Sequence, residues 1–181
     1  MIILGFAGFL RYSEIADIKR HDVIFCPTYT KIFIEKSKTD IYRDGHWLYL
    51  AKLNSPLCPT KMLKLWFKKA SISNDLSEEY IFRAITVFKK KNVSKLRKSN
   101  EPISYSTMRE HVLKAVKDIG LDESKFGLHS LRSGGATAAA NNGVEDRLFK
   151  RHGRWKSESV KNGYVKDNIH RLLSVSLRLG I

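Results

Sequence analysis

The 181-residue sequence predicts a mainly α-helical domain with one small antiparallel β-sheet near its start, an α+β arrangement. Three observations lead there. Apolar residues recur at helical spacing over long stretches, three short strand-like runs cluster between residues 22 and 51, and Pro, Asp and Gly stand where those runs must reverse. The length suits one hydrophobic core, so residues 1–181 read as a single domain.

Taken in order, residues 1–20 place Leu10, Ile15 and Ile18 on one helical stripe that stops near "KRHD". The opening "MIILGFAGFL" has the hydropathy of a signal-peptide core. It lacks a preceding basic segment and runs into "RYSEIADIKR", so it reads as a buried helix. The runs "DVIF" (22–25), "KIFIEK" (31–36) and "HWLYLA" (46–51) are joined by "CPTYT" and "SKTDIYRDG", which suit hairpins. Residues 59–70 return to helical periodicity, with Pro59 tolerated in a first turn. The stretch 87–102, "VFKKKNVSKLRKSNEP", is the most basic and least periodic and reads as an exposed loop. It fits a solvated lysine loop, a localisation signal or a phosphate-contacting loop.

A capping box of Thr107 and Glu110 opens a helix closed by Gly120. An Ala-rich helix in "LHSLRSGGATAAANNG" stops at Asn142 and Gly143, and a short helix in "VEDRLFKRHG" stops at Gly153. Ser157 caps another short helix that carries Val160 and Tyr164 on one side. The tail "VKDNIHRLLSVSLRLGI" supplies a final amphipathic helix through Leu172, Leu173, Val175, Leu177 and Leu179. Trp47 and Trp66 sit on apolar patterns and read as core.

The balance of 33 Lys and Arg against 18 Asp and Glu leaves a formal charge of +15, which concentrates polyanions at the surface and makes nucleic acid the first partner to consider. Cys26 and Cys58 lie too far apart, with no histidine at ligand spacing, for a zinc site or disulfide framework, and each is explained by a reduced buried thiol. No run of about 18 apolar residues is long enough for a spanning helix.

Two arginine-bearing helix turns stand out. Arg11 and Glu14 are three apart, as are His129 and Arg132, the latter followed by the small residues "SGGA". Singly, each has a plain structural explanation as an ion pair or a satisfied histidine. Together they suit a phosphodiester attacked without a metal. Planar guanidiniums match the non-bridging oxygens, a base must take the proton of a phenol whose ordinary pKa is about 10, and a general acid must protonate the departing sugar oxygen.

The stretches "GFLRYSEIADIK", "KSKTD", "GLHSLRSGGATAAA" and "GRWKSESVKNGY" resemble, in order and spacing, the catalytic domain of the tyrosine recombinases, the phage-integrase-like family. The match runs from about residue 3 to residue 168. The resemblance implies that Tyr164 attacks a DNA phosphate to form a 3′-phosphotyrosyl bond, with Arg11 and Arg132 as phosphate clamp and Lys38 as general acid. It also implies that His129 exchanges a proton with the tyrosine, that Trp155 packs on the phosphate with its indole N–H available, and that Glu14 orients the cations. Since Trp155 is the better match by register, His152 in "RHGRW" reads as a surface or DNA-proximal residue. It implies site-specific breakage and rejoining of double-stranded DNA with no cofactor, no metal and no ATP, on a homo-oligomer assembled on DNA as a tetrameric synapse. It places the protein inside the cell and on DNA, in the nucleus or in the cytoplasm and nucleoid according to host. Relatives usually carry an N-terminal core-binding domain, so the chain is expected to be the catalytic domain lacking that partner. A catalytically inactive DNA-binding module and a type IB topoisomerase-like activity stay open beside this reading.

Overall fold

The computed structural model describes residues 1–37, 44–89 and 92–179, and in it the expected N-terminal helix is broken in two. Helix α1 spans Ile2–Ala7 and α2 spans Tyr12–Ala16. Between them Phe9 takes a left-handed φ of 49°, a conformation that costs a non-glycine residue about 1–2 kcal/mol. Close packing explains the glycine at the break, because a Cβ on Gly8 would stand 2.7 Å from Leu48 Cδ2. The apolar stripe survives the break, with Leu10, Ile15 and Ile18 all buried.

Strands β1 (Val23–Phe25), β2 (Tyr29–Ile34) and β3 (His46–Ala51) form the expected antiparallel sheet in that order. Pairings such as Val23 with Ile32 and Ile32 with Leu48 set one face inward, where Ile34 and Leu50 join them in the core. Trp47, one register step from Leu48, falls on the opposite face. It is half-buried against Phe33, under the Lys31 ammonium at 4.6 Å, and so is not the core residue expected. Trp66 does pack against the core and donates Nε1–H to the Ile81 carbonyl at 2.8 Å.

Helix α3 spans Pro59–Ala70 with Pro59 in its first turn, as expected. The basic stretch corrects the sequence reading: β4 (Ile85–Phe88) and β5 (Val93–Leu96) pair as an antiparallel ribbon where a loop was expected. Helix α4 (Tyr105–Asp118) begins before the expected box. Its cap is Ser104, whose Oγ accepts from Thr107 N–H at 3.3 Å, and Gly120 closes it at φ 80°.

Helix α5 spans Leu128–Asn141 and stops at Asn142 and Gly143, as expected. Its Gly135 lies so close to α1 that a Cβ there would meet the Phe6 carbonyl oxygen at 2.0 Å. In α6 (Asp146–Gly153) the left-handed closing residue is Arg154, at φ 57°, and not Gly153. Helix α7 spans Glu158–Asn162 with the expected Ser157 cap, but Tyr164 lies beyond its end and so does not share a helical face with Val160. The last helix, α8, spans Ile169–Leu177. A main core of α1–α4 and sheet residues adjoins a smaller cluster of Phe9, Ala136, Phe149 and Trp155. Among the described residues no helix is long and apolar enough to cross a membrane.

Candidate active site

Glu14 is the hub. Its carboxylate is 2% exposed and accepts from Arg11 N–H at 2.7 Å, Arg11 Nη1 at 3.0 Å and Arg154 Nη2 at 3.0 Å, with Arg132 Nη1 at 3.7 Å. Arg11 caps α2, so its backbone and its guanidinium both face Glu14 one turn on. Burial pushes the Glu14 carboxyl upward, but Arg154, the Arg11 N–H and the Arg11 and Arg132 charges outweigh it and hold the group below the ordinary carboxylate range. Three guanidiniums around one carboxylate leave the cluster with excess positive charge in a dry setting.

Arg132 enters from α5 and is 0% exposed. It donates Nη1–H to the Phe9 carbonyl and Nη2–H to the Gly153 carbonyl at 2.6 Å, while its Nε is buried without a partner among the described residues. Its guanidinium carbon stands 4.7 Å from the Trp155 ring centre and 5.0 Å from that of Tyr164. Burial, with Arg11 next, lowers its pKa to about 10, which still leaves it charged at neutral pH. The left-handed turn at Phe9 matters here, since it aims one carbonyl at both Arg132 and Arg154.

Tyr164 sits half-buried where α7 gives way to the tail, and its backbone carbonyl accepts from Thr137 Oγ1 on α5 at 3.2 Å. The His129 ring lies 5.0 Å from its ring, centre to centre. Burial and the nearby Arg132 and Arg11 charges push the His129 pKa down, so the imidazole is neutral at pH 7 and able to accept a proton. Trp155 stacks on Phe149 at 5.1 Å, and its indole N–H is buried without an acceptor among the described residues. A cavity of about 310 Å³ opens beside it, walled by Lys150, Arg151, Arg154 and Lys156 together with Asp44 and His46.

The structure therefore brings Arg11, Glu14, His129, Arg132, Trp155 and Tyr164 into one place. Lys38 lies outside the described residues. His152 differs from the sequence reading: it is half-buried, donates Nε2–H to the Ala7 carbonyl at 2.9 Å and meets the edge of Phe9 at 4.7 Å, tying α6 to the end of α1. Arg154 was missed. It is 8% exposed, donates to the Gly8 and Phe9 carbonyls and to Glu14, and belongs to the arginine cluster. Its only signal in the sequence was its place beside Trp155 in "RHGRW", and nothing local marks it as buried. Lys161, also buried, bridges Asp146 and Glu158 and fastens α7 to α6 just ahead of Tyr164.

Three arginines gathered on one buried glutamate beside a half-buried tyrosine, on a helical domain with a small three-stranded sheet and a two-stranded ribbon, define a class. The sequence profile of the phage integrase family matches residues 1–171, and the chain belongs to that family. It is 36% identical over 169 residues to an integrase/recombinase XerD homolog of Selenomonas ruminantium, covering 92% of this chain and 46% of that protein. Among solved structures, the fold matches the XerA recombinase at a TM-score of 0.68 and 19% identity, over 99% of this chain and 55% of that one. It also matches the XerH site-specific recombinase bound to its difH substrate at 0.66 and 17%, over 99% and 45%. The chain spans about half the length of these relatives.

Proposed function

We propose that this chain is the catalytic domain of a tyrosine recombinase that breaks and rejoins double-stranded DNA at specific sites. In this reading Tyr164 Oη attacks the phosphorus held by Arg11 and Arg132. The new O–P bond replaces the bond to the 5′ oxygen, giving a 3′-phosphotyrosyl link and a free 5′-hydroxyl. His129, held neutral, takes the phenolic proton, and Lys38 protonates the departing oxygen. Glu14 and Arg154 hold the clamp arginines in place, and the Trp155 N–H donates to a phosphate oxygen. Phosphodiester is exchanged for phosphodiester, so the bond energy is kept and no nucleotide triphosphate is consumed. The observation that carries this reading is that Arg11 and Arg132, drawn from both ends of the chain, share the buried Glu14 carboxylate while Arg132 lies against Tyr164 and Tyr164 against His129. The XerH complex with difH DNA and a lambda integrase tetramer bound to a Holliday junction support DNA as substrate and assembly upon it. They also favour a location on the host's DNA.

The test is a panel of nicked suicide duplexes. The wild type is expected to trap a covalent protein–DNA adduct, and Tyr164→Phe to trap none. An adduct that persists in the Phe variant removes Tyr164 as nucleophile. One observation favours a second reading, an inactive DNA-binding module: Arg132 has no exposed surface, and the Trp155 and Tyr164 rings lie 4.7 and 5.0 Å from its guanidinium. That reading expects duplex binding without an adduct in either protein.

A further inference from the structure

We propose that the β4–β5 ribbon is a second DNA-gripping element, one that contacts duplex phosphates flanking the segment held at the arginine pair; this rests on the reading that the chain acts on DNA. Between Arg83 and Glu101 the chain carries Lys89, Lys90, Lys91, Lys95, Arg97 and Lys98 and no Asp or Glu. Lys89, Lys95, Arg97 and Lys98 are all exposed, and among the described residues none of the four has a carboxylate partner. Elsewhere some exposed lysines do find acids, as in Lys117 with Glu123 and Lys125 with Asp122. A face built only for solubility interleaves the two signs, whereas a run of one sign without counter-charges suits a polyanion.

Shape points the same way. The ribbon is two strands in register, Ile85 with Leu96 through Phe88 with Val93, and a two-stranded antiparallel ribbon is one of the two elements that fit the major groove of B-DNA. Four residues at about 3.3 Å each extend about 13 Å, the length of roughly four base-pair steps. At its far end Val87 is 61% exposed and Phe88 47% exposed, so the ribbon is not there to cover a core. Its base joins the candidate site directly. Arg97 N–H bonds the Ala84 carbonyl at 2.9 Å and Ile103 N–H bonds the Phe82 carbonyl at 2.8 Å. Tyr12, the residue after Arg11, donates its hydroxyl to the Ile103 carbonyl at 2.8 Å. On this proposal, DNA seated at Arg11 passes the root of the ribbon.

The experiment compares the wild type with a ribbon variant (Lys89→Gln, Lys95→Gln, Arg97→Gln, Lys98→Gln) and an equally discharged control (Lys61→Gln, Lys68→Gln, Lys69→Gln, Lys114→Gln). Binding to a mixed-sequence linear duplex is measured across a salt series, with the urea midpoint of each protein. Loss of four phosphate contacts at about 0.9 each lowers the slope of log K against log salt by about 3–4 in the ribbon variant, while the control changes by less than one contact's worth. Equal slopes in the two variants overturn the proposal and leave the ribbon to an acidic protein or to solvent. If the fourfold change lowers the urea midpoint, the single reversals Lys95→Glu and Lys98→Glu decide it by the same slope comparison against Lys114→Glu. A wild type that binds no duplex at low salt sinks the DNA reading itself; a wild type that binds, with an unaltered ribbon slope, sinks only the ribbon.

Discussion

Arg154 spends backbone strain to place its charge. Glycine at its left-handed φ would relieve about 1–2 kcal/mol, yet removing a buried guanidinium that serves Glu14 and two carbonyls costs about 3–5 kcal/mol. Arg154→Gly is therefore expected to destabilise the protein by roughly 1–4 kcal/mol in urea unfolding; a variant as stable as the wild type would show that the cluster does not depend on it. His152 gives a pH test. Burial, together with the Arg154 charge, lowers its folded-state pKa although the Ala7 carbonyl pulls the other way. The unfolded chain thus takes up the proton first, and stability is full above about pH 6.5 and falls as pH drops toward the folded value. His152→Gln should flatten that part of the stability curve, measured as urea midpoints between neutral and mildly acidic pH. Neither residue was legible as structural from its neighbours. Arg154 and His152 sit in a basic stretch that reads as surface, and only chain reversal brings the α1 carbonyls to them.

Among the elements, those with a strong local signature read correctly, as the bounds of β3 and α3 illustrate. The failures have physical causes. The first helix is split at the left-handed Phe9 beside the tightly packed Gly8, and neither feature shows in local periodicity. The β4–β5 ribbon was hidden because its strands are only four residues long and almost wholly exposed, so no buried face imposes an apolar alternation on them. Of the candidate site, the residue types and order were legible, whereas the approach of two rings to Arg132 was not, since it depends on where the chain turns after α7. The contact between α1 and α5 is the sharpest element-scale test. Gly135→Ala drives a methyl into the Phe6 backbone and should cost about 2–3 kcal/mol. Because Gly135 is one turn from Arg132, the same substitution should also shift the His129 ring resonances in NMR spectra.

Across the whole molecule, charge and apolar surface are unevenly spread. Leu172, Leu173 and Leu177 of α8 are exposed at 57%, 48% and 80%, while Arg171 reaches back to the Ala140 carbonyl and Asn141 to the Lys166 carbonyl, holding the tail on its own α5. If the proposed assembly on DNA uses α8, a chain ending after Lys166 should still bind duplex but lose multimeric complexes in native gels; retained multimers would exclude that use. The hub at Glu14 also has a consequence for how the protein is made. Arg132 bonds the Phe9 carbonyl across 123 residues, and Arg154 reaches Glu14 across 140. During synthesis, when N-terminal segments emerge first, the early chain carries a carboxylate destined for burial whose two distant counter-charges do not yet exist. Contacts of such separation form late because their loop-closure entropy is paid before they bring any reward. A half-made chain therefore has no assembled arginine pocket, and the site comes into being only when the last third of the sequence has joined the first fifteen residues.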